Sequence, residues 1–248
     1  MTTEPLRIFV GYDSREDIAY EACRNSILRR STVPVQITPL KQPALRRAGL
    51  YRRAPKDFTK EDSFDGKPFS TEFSFTRFLV PALMQWEGWV LFCDCDFLFR
   101  DDVSKLFALR DDRYAVMCVK HTHTPSESLK MDGMKQERYY RKNWSSCMLF
   151  NCGHVKNKHL TVDTVNNEPG SFLHGLCWLA DDEIGELPLE WNYLVGYNTK
   201  EQCPDPKVVH FTRGIPAMDG YADCEYANEW WAELDLLNQP LEIKWKRA

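Results

Sequence analysis

Short apolar runs alternate along this chain with longer segments in which apolar residues recur at helical spacing. Continuous apolar runs of four to six residues read as strands buried on both faces of a sheet. Such runs predict strands at Trp89–Cys93, Ala115–Val119 and Cys147–Phe150, and shorter apolar stretches interrupted by polar residues predict strands at Leu6–Val10, Val35–Leu40 and Lys207–Phe211. Between Leu6–Val10 and Val35–Leu40, a helix is expected from Ser14. Ser14 and Asp17 form a candidate capping box, Ile18, Ala22 and Ile27 a buried stripe, and Arg29 and Arg30 suit the helix C-terminus. Further helices are expected over Ser70–Leu83 (Phe75, Phe78, Leu79 and Ala82 inward), over Ser171–Leu179, and over Glu225–Leu237 with Trp230, Trp231, Leu234 and Leu237 inward. Leu187–Asn192 reads as a compact polar-aromatic turn. A strand–helix–strand opening implies parallel pairing with a right-handed crossover, hence an α/β fold.

The run Trp89–Cys93 leads directly into Asp94-Cys95-Asp96. Ligands of open α/β sheets bind beyond the carboxyl ends of the strands, which makes this the place to look for chemistry. In extended backbone Asp94 and Asp96 project to one side, Cys93 and Cys95 to the other. Two close carboxylates resist joint ionisation unless a cation lies between them, and a hard divalent ion, Mg²⁺ or Mn²⁺, answers that need. The plainer reading is a loop in which one aspartate caps the next turn, with Asp101 and Asp102 as further solvated charge. A zinc site on Cys93 and Cys95 is disfavoured by their spacing. His121 and His123 lack the neighbouring thiolates that would make a metal pair of them.

Composition narrows the classes. With 248 residues, 43% of them hydrophobic, the chain can bury one large core, and a single domain spanning 1–248 is expected. A net charge of -4 gives no global attraction to nucleic acid. No segment offers the ~18–20 uninterrupted apolar residues of a membrane span. Nine cysteines scattered through apolar segments suggest reduced thiols and a cytoplasmic protein.

The first strand ends in Gly11-Tyr12-Asp13, where Tyr12 can stack on a base and Asp13 can accept from a base or ribose hydroxyl. Neither a G-x-G-x-x-G nor a G-x-x-x-x-G-K-[ST] is present, which argues against a nicotinamide dehydrogenase and a P-loop NTPase. Lys41–Lys60 carries seven basic residues (Lys41, Arg46, Arg47, Arg52, Arg53, Lys56, Lys60) against Asp57. It reads as an irregular lobe able to hold phosphate or an acidic acceptor, or simply as a solvated loop. Arg77 lies just ahead of the acidic strand, either as a phosphate contact or as a structural arginine.

Taken in order, these features resemble the metal-dependent glycosyltransferases of the GT-A (Rossmann-like) fold, and most closely the retaining family that includes glycogenin and bacterial lipopolysaccharide galactosyltransferases. The resemblance runs through Gly11-Tyr12-Asp13, Ser74–Phe78, Leu91–Asp96, Ser145–Asn151, Asp181-Asp182-Glu183, Trp191-Asn192 and His210-Phe211. It implies a mixed, mostly parallel central sheet flanked by helices, in a single glycosyltransferase domain with 1–100 as its nucleotide-binding half and 101–248 as its sugar- and acceptor-binding half. It also implies a donor site of Gly11, Tyr12, Asp13, Arg77, Asp94, Cys95, Ser145, Ser146, Asn192, Arg213 and Gly214. Asp94, Asp96 and His210 would bind Mn²⁺ or Mg²⁺. The implied catalytic residues are Asp181, which would bond hydroxyls of the transferred sugar, and Asp182, which would sit near its β face and stabilise oxocarbenium character or attack as a nucleophile. The implied partners are a nucleoside diphosphate sugar, UDP-linked, and a saccharide or glycan acceptor, with retention of configuration. Three alternatives stay open: an inverting enzyme of the same fold, a sugar-nucleotide nucleotidyltransferase, and a non-catalytic sugar-nucleotide-binding homologue. Ser145-Ser146-Cys147 stands where the family has Asn-Ala-Gly, Asp181-Asp182-Glu183 where it has Asp-Gln-Asp, and Arg213 takes the place of a phosphate-binding lysine.

Overall fold

The computed structural model describes residues 4–53, 71–122 and 141–237. Lys56, Asp57 and Lys60 of the basic stretch, and His123, lie outside the described residues. The opening is β1 (Leu6–Gly11), α1 (Asp17–Arg30) and β2 (Val35–Leu40), with β1 and β2 parallel and in register from Leu6↔Val35 to Gly11↔Leu40. Next come α2 (Gln42–Arg47), α3 (Val80–Leu83), β3 (Trp89–Cys93), β4 (Phe97–Phe99), α4 (Val103–Phe107), β5 (Val116–Cys118) and β6 (Cys147–Asn151). The chain continues through α5 (Val162–Asn167), α6 (Gly170–His174), β7 (Ile184–Glu186), β8 (Tyr193–Leu194), β9 (Val208–His210) and α7 (Ala227–Leu237).

Six strands form one sheet in the order β2-β1-β3-β6-β5-β7, in which β6 alone runs antiparallel to the others. It is the mixed, mostly parallel sheet that the family resemblance implies, with the parallel opening that the strand–helix–strand pattern predicts. Its central strands are buried along both faces, Val90 to Cys93 and Cys147 to Phe150 being at most 1% exposed. β4, β9 and β8 make a second, three-stranded sheet, of which the sequence pattern announced only β9, within the strand expected over Lys207–Phe211, because runs of two or three residues carry no periodicity.

Several helices differ from expectation. α1 starts at Asp17, not Ser14, and Glu16 occupies its N-cap without a side-chain cap bond; the Ser14 hydroxyl instead donates to Glu72 Oε1 at 2.6 Å, so no capping box forms. Ile18 is exposed, while Ala22 and Ile27 are buried as expected. The segment read as one helix over 70–83 is a 3₁₀ turn, Thr76–Leu79, followed by the single turn of α3. Pro81 lacks the N–H that would extend an α-helix backwards through this point. The helix expected over 171–179 stops at His174, and Leu176 turns the chain with φ +51°. In α7 Trp230 and Leu234 face inward, but Trp231 and Leu237 are exposed. The inward position between them belongs to Glu233, 1% exposed, whose carboxylate accepts from Arg29, Arg30 and Asn25 and ties α7 to α1.

No helix among the described residues is long and apolar enough to cross a membrane.

Candidate functional site

Asp94-Cys95-Asp96 is the turn that carries the chain from the large sheet to the small one. The Asp94 N–H donates to the Ser146 carbonyl at 2.9 Å, adding one last bond to the β3–β6 ladder. The Asp96 carbonyl accepts from Phe211 N at 2.9 Å, beginning the β4–β9 ladder. Both backbones are fixed by sheets, which leaves the two carboxylates aimed into the gap where the sheets part. His210 closes β9 opposite Phe97, its ring stacked on the Phe97 ring with centroids 4.3 Å apart. The candidate ligand atoms of Asp94, Asp96 and His210 all lie within 4.8 Å of one another.

Partners define the electrostatics. Arg77 Nη1 lies 2.8 Å from Asp94 Oδ1 and also donates to the Ser145 carbonyl at 2.9 Å. The guanidinium is 5% exposed and sits between the rings of Phe73 and Phe92. It is a buried, fixed cation that orients Asp94. His210 Nε2 lies 3.3 Å from Asp96 Oδ2. Burial alone would raise the Asp96 pKa, but the charge and hydrogen bond of His210, with Arg77 behind them, hold it below the ordinary carboxylate value. Asp96 Oδ1 is buried and accepts no hydrogen bond among the described residues. A carboxylate oxygen in that state calls for a positive partner. Two carboxylates and an imidazole nitrogen are a donor set that fits a divalent ion, and the nitrogen suits Mn²⁺ better than Mg²⁺.

The remaining residues singled out in the sequence divide into those packed around this cluster and those elsewhere. Ser145 and Ser146 are buried beside it at the start of β6. Asn192 is fully buried with Oδ1 3.2 Å from His210 Nδ1. Cys95 is buried, its thiol donating to Glu16 Oε2 at 3.7 Å, and burial with the nearby Asp96 charge pushes its pKa well up. Gly11 is needed for packing, since a Cβ there would come 2.5 Å from the Phe73 ring.

Asp13 differs from expectation. It is fully buried and accepts from Arg15 N, Nε and Nη2 and from Glu72 N, so its oxygens are occupied by its own chain rather than turned to a ligand. Burial opposes its ionisation, yet those bonds keep its pKa below the usual value. The Tyr12 hydroxyl donates to Asp17 at 2.6 Å, and Lys41 Nζ covers one face of its ring at 4.2 Å. Arg213 is exposed and lies against Tyr197, with Gly214 following it.

Asp181 and Asp182 are not brought to the cluster. They precede β7, and Ile184 pairs with Val116, Val116 with Phe150, and Phe150 with Val90. That level is the amino end of β3, three strands across from it, whereas Asp94 follows the carboxyl end. Asp181 is held instead by Arg141 Nη2 at 2.5 Å, with its side chain 70% exposed, and Asp182 is exposed.

Two residues near the cluster went unread in the sequence. His174 Nδ1 is 2.9 Å from Ser145 Oγ, with its ring edge-on to Phe78 at 5.2 Å. A histidine closing an apolar helical turn was the only signal. Glu16 stands at the N-cap position of α1, near Asp96; burial, and secondly the Asp96 charge, push its carboxyl up to about 7. A cavity of about 630 Å³ opens beyond the carboxyl ends of β5 and β7, lined among others by Lys120, His121, Glu186, Tyr197 and Asn198. It adjoins the cluster through Leu194, the β8 neighbour of His210.

Sheet order, the two-sheet junction and the position of the acidic turn define the GT-A glycosyltransferase fold. Solved structures of that class superpose on most of the chain: the bifunctional glycosyltransferase WbbM (TM-score 0.58, 16% identity, 92% of this chain and 51% of that one); GlyE of Streptococcus pneumoniae (0.59, 15%, 93% and 60%); and the galactosyltransferase LgtC in complex with donor and acceptor sugar analogues (0.55, 13%, 96% and 98%). The chain thus spans about half of WbbM and three fifths of GlyE. At such identities the likeness establishes the fold. By sequence, the chain belongs to the family of Protein CDI of Arabidopsis thaliana, with which it is 50% identical over 239 residues, 95% of this chain and 88% of that protein. No family model matches it.

Proposed function

We propose that this protein is a metal-dependent glycosyltransferase that moves a sugar from a nucleoside diphosphate sugar, UDP-linked, to a saccharide or glycan acceptor with retention of configuration. The observation that carries this reading is the convergence of Asp94, Asp96 and His210 at the carboxyl end of β3, with a buried carboxylate oxygen left unbonded in a GT-A fold. These three residues would hold a divalent cation, Mn²⁺ in preference to Mg²⁺, and the bound ion supplies Lewis-acid neutralisation of the departing diphosphate. Arg77 holds Asp94 in place, and the Phe97 ring backs His210. The cavity beside Leu194, with an aromatic face on Tyr197 and polar groups from Lys120, Glu186 and Asn198, suits the acceptor. Asp181 and Asp182 receive no role in this reading. All nine cysteines are free and seven of them are buried, which fits work in a reducing compartment such as the cytoplasm.

Calorimetric titration of UDP and GDP, with and without Mn²⁺, tests the reading on wild type, Asp96→Ala and His210→Ala. Mn²⁺-dependent binding of UDP that disappears in both variants supports it. Binding of neither nucleotide under any condition removes its basis. Release of UDP from a donor separates transfer from nucleotidyl chemistry, which releases pyrophosphate. The anomeric configuration of the product, read by NMR, separates retention from inversion.

A further inference from the structure

Behind His210 runs a chain of polar groups that ends on the carbonyl of half-buried Asn143, with Asn192, His210 and Ser146 being 0%, 2% and 4% exposed. The Ser146 hydroxyl lies 2.7 Å from the Asn143 carbonyl oxygen. Two oxygens that close require a proton between them, and only the hydroxyl has one to give. Ser146 Oγ is therefore an acceptor towards its other neighbour, Asn192, 3.0 Å away. A carboxamide turned the other way would set its oxygen against the Ser146 oxygen with no proton left to share. Asn192 must present its NH₂ to Ser146 and its Oδ1 to His210 Nδ1, 3.2 Å distant. Oδ1 can only accept, so Nδ1 must carry a hydrogen.

We infer that Ser146 and Asn192 are positioning residues that fix His210 as the Nδ1–H tautomer and so keep the Nε2 lone pair directed at the Asp94–Asp96 carboxylates. The direction of every bond is set from the backbone carbonyl of Asn143 outward, without reference to what occupies the cluster. In the imidazolium Nε2 donates to Asp96 Oδ2 at 3.3 Å; once that proton leaves, a bare Nε2 faces the carboxylate, an opposition of two electron-rich atoms that a cation in the proton's place relieves. An outer partner of this kind orients a ligating imidazole and raises its basicity, and its loss costs about 10–100-fold in metal affinity. The role differs from the donor contact that the resemblance implies for Asn192. The metal half of the inference rests on the proposed function; the tautomer half does not.

Two measurements on the full chain test it. In the first, the protein carries ¹⁵N in its histidine rings, is free of metal and is held at alkaline pH where imidazoles are neutral; the His210 signals are assigned by their loss in His210→Gln. The expected long-range ¹H–¹⁵N pattern is a protonated Nδ1 and a bare Nε2, and the reverse tautomer overturns the inference. In the second, Mn²⁺ affinity is read by electron paramagnetic resonance. Asn192→Leu lowers it about 10–100-fold, whereas Asn192→Asp, which keeps the acceptor towards Nδ1 while the Ser146 hydroxyl turns from the Asn143 carbonyl to its other oxygen, largely preserves it. Wild-type affinity in Asn192→Leu overturns the positioning role while leaving the metal site standing. No Mn²⁺ binding by wild type, with the expected tautomer observed, overturns the metal reading and leaves the tautomer assignment standing.

Discussion

Asp94-x-Asp96 and Asp181-Asp182 look alike in the sequence, each a close acidic pair following an apolar stretch, and the structure treats them oppositely. The first stands at the carboxyl end of a central strand, its side chains 14% and 19% exposed, flanked by a buried arginine and a buried histidine. The second precedes an edge strand, and the side chain of Asp181 is 70% exposed and touches one arginine. The difference follows from strand direction. Residues after a parallel strand meet the ends of its neighbours, whereas residues before one meet only the amino-terminal rim. Charge density in a sequence says nothing of which end it will occupy.

The sharpest way to break this comparison is to neutralise each pair in turn. Asp96→Ala should lower Mn²⁺-dependent UDP affinity about 100-fold or more, since losing a ligand costs at least as much as losing the residue that orients one. Calorimetry reads the change, and a response within twofold of wild type would remove Asp96 from the site.

Arg77 distinguishes the pairs by stability. Its guanidinium and the Asp94 carboxylate are 6% and 14% exposed, so Arg77→Met leaves a buried carboxylate without its cation. Breaking such a pair costs about 3–5 kcal/mol. Urea unfolding at neutral pH measures it, and restoration of much of the loss by saturating Mn²⁺ would show a cation taking the place of the guanidinium charge.

β3 and β6 were legible because burial on both faces writes a continuous apolar run, and with β1 and β2 they fall within one residue of expectation. His210 and Asn192, remote in sequence, were reached only through the family resemblance. What stayed illegible is tertiary in origin. The helix over 70–83 reads as continuous until Pro81 and the packing of Arg77 divide it. Trp231 fits the inward stripe of α7 by spacing, yet the Glu233 ion pairs rotate the helix and turn Trp231 outward. His174 carries no motif, and its place beside Ser145 follows only from how α6 lies against the large sheet.

A third acidic pair, Asp101-Asp102, shows what a purely structural role looks like. Asp102 caps α4 by accepting from Ser104 N at 2.9 Å and also accepts from the Thr32 hydroxyl. Burial opposes its charge, but these bonds hold its pKa below the ordinary 3.8. A lowered pKa contributes stability that is present above 3.8 and lost as pH falls through the lower folded value. Asp102→Ala should cost about 1–2 kcal/mol at neutral pH, the worth of an N-cap, with no effect on Mn²⁺ affinity. The gap between the two proteins should narrow as pH falls below 3.8. Thermal melts from roughly pH 7 down to roughly pH 2 measure it, and a gap that stays constant would assign the whole effect to packing.

The smallest effect belongs to the pair that prompted the comparison. Asp181→Asn removes one charge from an exposed contact, and Arg141 keeps the carbonyls of Gly175, Leu176 and Leu179 as partners. An ion pair with so exposed a carboxylate is worth about 0–1 kcal/mol. Asp182→Asn touches less still, and surface changes of that kind fall within about 0.5 kcal/mol. Both variants should keep UDP affinity and turnover within about twofold of wild type, because exposed charges that precede a strand three across from β3 are largely screened from the cluster. A loss of turnover in Asp182→Asn with Mn²⁺ and UDP affinity intact would contradict this. The transferred sugar would then have to reach the amino-terminal rim of β7, and the acidic turn after β3 would hold only the diphosphate.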